Sequence, residues 1–176
     1  FDSAIHYESM QSNLDPFGMT KGLSKSKPKR LFADCGAFQF RNSTDPILDD
    51  GTRLDAEVAW EYYSAKHLNS GFEWEEVLLC SPDHIITADM ADEEVENRFR
   101  FIEENAAPFL ELTKQDERVT AIGVIHGRTN EERITQYEMF KSIGYEYVAL
   151  GGMVPYSSKH DEALRIVAGI ENPTEP

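Results

Sequence analysis

The sequence predicts an α/β protein built on a parallel sheet with crossover helices. From about residue 30 onward, short apolar runs rich in β-branched residues alternate with longer amphipathic stretches, which is the rhythm of strand–helix–strand units. Two of the short runs, VTAIGVIHG and YEYVALGG, are almost continuously apolar, as strands covered on both faces are. Each short run also ends in polar or glycine residues. An open doubly wound sheet and a (β/α) barrel satisfy this pattern equally, and periodicity does not separate them.

At 176 residues the chain suits one domain with a real core. Residues 1–30, rich in Ser, Gly, Asn and Pro, read as an irregular lead-in, and residues 31–170 as a single α/β domain. The expected strands are 30–35, 84–89, 119–126 and 147–151; the expected helices are 54–68, 92–112, 130–142 and 159–168. Start signals support the helices. Thr129 precedes Glu132 at the spacing that lets hydroxyl and carboxylate satisfy the first orphan amides. Thr52 with Asp55, and Ser158 with Asp161, are weaker acidic forms of the same pattern. Val95, Phe99 and Ile102 form a core-facing stripe, and Gly144 is a fitting helix stop.

A net charge of −15 opposes non-specific binding of a polyanion by the chain as a whole. The stretch KGLSKSKPKR runs the other way, with Lys21, Lys25, Lys27, Lys29 and Arg30 and no acid. It is either a solvated loop or a local phosphate-contacting patch. Cys35 and Cys80 are too few for a disulfide framework and lack metal-finger spacing, so a reduced cytoplasmic setting is expected. No run of some 18 apolar residues is present, so no membrane span is expected. The chain opens without an initiator Met or a leader pattern, which points to processing or to a piece of a longer chain.

In both parallel architectures the carboxyl ends of the strands form the ligand face. The expected strands therefore deliver Asp34, Cys35 and Gly36, then Asp89, then His126, then Gly151 and Gly152 to one rim. Each has an ordinary structural explanation alone; their joint occurrence at strand ends argues for a shared site.

The segment FADCGAFQ resembles the Asp-Ser-Gly-Gly/Ala-Phe/Tyr-Gln signature of the tRNA-guanine transglycosylase superfamily. HIITADMAD resembles that family's second strand-end aspartate, AIGVIHG its Gly-Ile-Val-Gln-Gly stretch, and YVALGGMVP its Gly-Gly-Leu segment. Order and approximate spacing agree across residues 31–155. Val154-Pro155 is more similar to the branch that inserts a 7-deazaguanine into DNA than to the tRNA branch. The resemblance implies a TIM-type (β/α) barrel, here an incomplete one lacking its last strands. It also implies exchange of a free 7-deazaguanine base for guanine at a nucleoside C1′ in DNA or tRNA.

By matched position, Asp34 is the active-site carboxylate and Asp89 accepts from the base N1–H and exocyclic amine. His126, where the family has Gln, reads the base carbonyl, and Cys35 stands in place of Ser. Gly36, Gly151 and Gly152 offer backbone, Met153 lies under the heterocycle and Phe38 stacks on it; Lys25, Lys27, Lys29 and Arg30 take the nucleic-acid backbone. The chemistry is coherent, since breaking an N-glycosidic bond builds positive charge on the sugar that a carboxylate stabilises. The family's covalent aspartate and its zinc site would fall beyond Pro176; after Gly152 the sole aspartate is Asp161, so no cofactor is expected here. Rival expectations are an N-glycosidase using Asp34 and Asp89 with water, and a non-catalytic subunit that partners a homologue.

Overall fold

The computed structural model describes residues 5–9, 29–69, 73–156 and 158–171. Five parallel strands form one sheet: β1 (Ile5–Ser9), β2 (Arg30–Asp34), β3 (Glu76–Cys80), β4 (Val119–Ile125) and β5 (Tyr147–Leu150). Their order in the sheet is their order in the chain, with β1 and β5 at the edges. Helices α1 (Ala56–Tyr63), α2 (Asp92–Thr113), α3 (Asn130–Ile143) and α4 (His160–Glu171) follow strands β2 to β5 in turn.

The two sheet faces differ. Leu31, Ala33, Val77, Leu79, Ala121 and Ile125 join one large cluster with Ala59 and Tyr63 of α1, Phe101, Ile102 and Phe109 of α2, and Phe140 of α3. Side chains of opposite parity, Phe32, Leu78, Cys80, Ile122, Val124 and Ala149, form a smaller cluster that contains only strand residues. Strand side chains alternate between faces, so the helical layer covers one face and the other is left to the strands and the loops beyond them.

Local signals set the helix ends. Asp55 caps α1 by accepting from Val58 N at 3.0 Å, so α1 starts one turn later than the Thr52 signal suggested and runs on into a π-turn at Ser64–Leu68. Thr129 caps α3 through Glu132 N, while the Glu132 carboxylate reaches past the cap to Arg128 N at 2.6 Å. Gly144 ends α3 at φ 112°, a conformation that glycine adopts without strain. On α2, Val95 and Ile102 are buried as expected, but the buried stripe also carries Arg98 and Asn105.

Two expectations need correction. The run 84–89 is not a strand: β3 is Glu76–Cys80, paired in register with β2 and β4. Its ladder ends where Ser81 N donates to Ile122 O, because Pro82 has no N–H to continue it. The acidic lead EWEE and the brevity of EVLLC hid this strand. The lead-in also holds β1, which pairs with β2 from Ile5↔Arg30 to Ser9↔Asp34; five residues, of which Ile5 and Tyr7 alone are apolar, give periodicity too little to act on. No helix among the described residues is long and apolar enough to cross a membrane.

Candidate functional site

All five strands point the same way, so Asp34, the turn after Cys80, His126 and Gly151 share one edge of the sheet. A cleft of about 1170 Å³ opens there, on the face that no helix covers among the described residues. Its floor is Phe32, Cys80, Val124 and Ala149; its rim includes Asp34, Phe38, Asp83, Asp89, His126, Gly151, Gly152 and Met153. Four strand ends converge here, with the end of β3 at Cys80 in place of the one expected at Asp89, and Ile86, Arg41 and Tyr156 extend the walls.

Asp34 is half-buried at the end of β2. Gly36, at φ 79° and ψ 26°, turns its N–H back onto Asp34 Oδ2 at 3.2 Å. A side chain at that left-handed position would be strained, so the glycine serves to seat the carboxylate rather than to touch a ligand. Cys35 points the other way: it is fully buried, lies outside the cleft lining, and donates its thiol proton to Asp83 Oδ1 at 2.5 Å. Burial, with Asp83 and Asp34 beside it, pushes that thiol well above its ordinary pKa, so Cys35 is a neutral hydrogen-bond donor.

Asp83 is the residue the sequence reading missed. It lies three residues past β3, is 5% exposed, and accepts from Cys35 on one oxygen and from His126 Nε2, at 2.5 Å, on the other. The His126 backbone N–H is held in turn by Gln136 Oε1 of α3 at 2.8 Å. Asp89 sits instead on the exposed outer rim, its carboxylate accepting from the Thr87 hydroxyl at 2.6 Å, which holds its pKa below the usual value. The signal for Asp83 was the Ser81-Pro82 pair that takes the chain off the ladder just before it.

Asp34, Cys35 and Asp83 bring potential ligand atoms within 4.8 Å of one another. The thiol spends its proton on Asp83 and the second Asp83 oxygen takes His126, so the group is closed upon itself by hydrogen bonds.

Two loops form the walls, and one buried cation joins them. Arg98, fully buried on α2, donates to the carbonyls of Arg41, Ser43 and Ile85 and pairs with Glu94. It also meets His84 Nδ1 at 3.2 Å, while His84 Nε2 bonds Ser43 O at 3.0 Å. Burial first, then Arg98, lowers the His84 pKa to about 4, so His84 is neutral and rigidly seated at neutral pH.

The basic stretch is divided. Lys21, Lys25 and Lys27 lie outside the described residues. Lys29 pairs with Glu75 and Arg30 with Glu76, at the amino end of β2, opposite the cleft. The guanidinium groups at the cleft are others. Arg41 stacks over Phe38 at 4.4 Å, Arg133 bonds Asn130 at 3.1 Å, and Arg128 is held between Asp92 and Glu132.

In comparisons with known proteins, no family model and no curated protein matches the chain.

Proposed function

We propose that this chain forms the base-binding face of a transglycosylase-like enzyme, which exchanges guanine for a 7-deazaguanine at a nucleoside C1′ in nucleic acid. One observation carries this reading: two carboxylates, an imidazole and a glycine backbone from successive strand ends meet in one cleft beside Phe38, Ile86 and Met153. A flat heterocycle needs that combination of apolar surface and a few convergent polar groups. The sequential strand order and single helical layer support a portion of a (β/α) barrel, whose ligands bind at this same edge.

In this mechanism the C1′–N9 bond of guanine breaks with its electron pair leaving on N9, and Asp34 supplies the proton that N9 takes. The incoming base gives its own N9 proton to Asp34 as the new C1′–N bond forms, so the carboxyl ends as it began. Asp83 holds His126 against the base edge, and Phe38, 47% exposed, offers its ring face to the heterocycle. The base reaches this cleft out of its stack. Arg41, at the cleft mouth, contacts the backbone phosphate.

The test is incorporation of labelled guanine into DNA and into tRNA by wild type and a folded Asp34→Asn variant. Wild type should incorporate label, and the variant should lose on the order of 10²–10⁴-fold in rate. Near-normal incorporation by the variant rejects Asp34, and an abasic product without incorporation means hydrolysis instead.

A further inference from the structure

His126 is 2% exposed, and its two ring nitrogens have different fates. Nε2 lies 2.5 Å from Asp83 Oδ2. Asp83 accepts the Cys35 thiol proton on its other oxygen, and with Asp83 acting as an acceptor on both oxygens the proton of the shared hydrogen bond is carried by Nε2. The ring cannot turn to exchange its edges. Its face rests on Gly151, where an added Cβ would stand 2.4 Å from Cε1 and Nε2, and Gln136 fixes its backbone.

Nδ1 has no partner among the described residues although it is buried. It lies on the Gly152 side of the ring, 3.5 Å from where a Cβ on that glycine would be, and His126 and Gly152 both line the cleft. With Nε2–H committed to Asp83, a neutral imidazole has only the Nδ1 lone pair left to offer. A buried acceptor without a donor is destabilising, and a ligand that brings the donor removes that cost.

Resting on the transglycosylase reading, we propose that His126 Nδ1 accepts a hydrogen bond from the bound base. The position then selects a heterocycle presenting an N–H donor, ring or exocyclic, beside Gly152, and disfavours one presenting a carbonyl there. A Gln amide at this position could turn to donate to a carbonyl; a neutral histidine held at Nε2 cannot. His126 is thus a specificity-determining residue whose sense is set by Asp83.

Nitrogen NMR of the full chain with labelled histidine tests this, with free guanine as the probe. In the free protein, His126 should carry its proton on Nε2 and an unprotonated Nδ1. Guanine should move the Nδ1 resonance in the direction of hydrogen-bond acceptance, and His126→Phe should bind guanine about tenfold or more weakly by calorimetry. A protonated Nδ1 in the free protein overturns the proposal. Guanine binding that leaves Nδ1 unmoved overturns it while the transglycosylase reading stands. Absence of any guanine binding overturns both.

Discussion

The imidazole of His126 lies directly on the backbone of Gly151, with no room for a side chain between them: a Cβ on residue 151 would stand 2.4 Å from ring atoms Cε1 and Nε2. The first glycine of the pair therefore makes space for the histidine, and the ring covers the backbone that a heterocycle was expected to meet. Gly151→Ala forces the ring off Asp83 or shifts β5. A loss of about 1–3 kcal/mol of stability is expected from such overpacking, together with weaker guanine binding. Truncating the ring in the same chain, as His126→Ala, should relieve part of the cost. Urea unfolding of the single and double variants measures this coupling, and strictly additive losses would dismiss the contact.

Asp83 and Asp89 should separate cleanly. Asp83→Ala leaves the Cys35 thiol and the His126 Nε2–H buried without their acceptor, at a cost of about 1–3 kcal/mol for each group left unpaired. Asp89→Ala, on the exposed rim, should change stability by no more than about 0.5 kcal/mol. Its effect should be confined to ligand affinity. Calorimetry showing unchanged guanine binding by Asp89→Ala would remove that residue from the site.

Arg41 should matter more for nucleic acid than the pair at the other end of β2. Lys29 and Arg30 are already matched by Glu75 and Glu76, whereas Arg41 stacks on Phe38 at the cleft with no carboxylate partner among the described residues. Arg41→Gln should weaken binding and lower the salt slope by about 1, the release expected for one phosphate contact. Lys29→Gln with Arg30→Gln should leave the slope nearly unchanged. The opposite ranking would move the nucleic-acid surface to the amino edge of the sheet.

Acid should destabilise the cleft walls through His84. Its folded pKa of about 4, lowered by burial and by Arg98, lies below an unfolded value of about 6.5. Between those two values the unfolded chain binds more protons, so stability is full above about pH 6.5 and falls as pH drops toward about 4. The loss attributable to this group is on the order of 3 kcal/mol. Unfolding free energies at about pH 7 and about pH 5, compared between wild type and His84→Gln, check it: the variant should show the shallower decline.

The strand–helix alternation, the cap at Thr129, the stop at Gly144, and the gathering of Asp34, His126 and the double glycine at one edge are all legible in the residues alone. These follow from local rules: alternation marks which face of an element is apolar, and a parallel sheet puts every strand end on the same side. Which second aspartate enters the core of the site depends on contacts between distant segments. Asp83 and Asp89 stand on the same apolar-flanked segment, and their fates separate because Pro82 ends the β3 ladder. Asp83 is left beside a histidine 43 residues away while the chain carries Asp89 outward. The burial of Arg98, the inward turn of Cys35 and the placement of Lys29 and Arg30 away from the cleft are of the same kind. Each depends on register between strands and on partners distant in sequence, and a charge is buried only where such partners satisfy it.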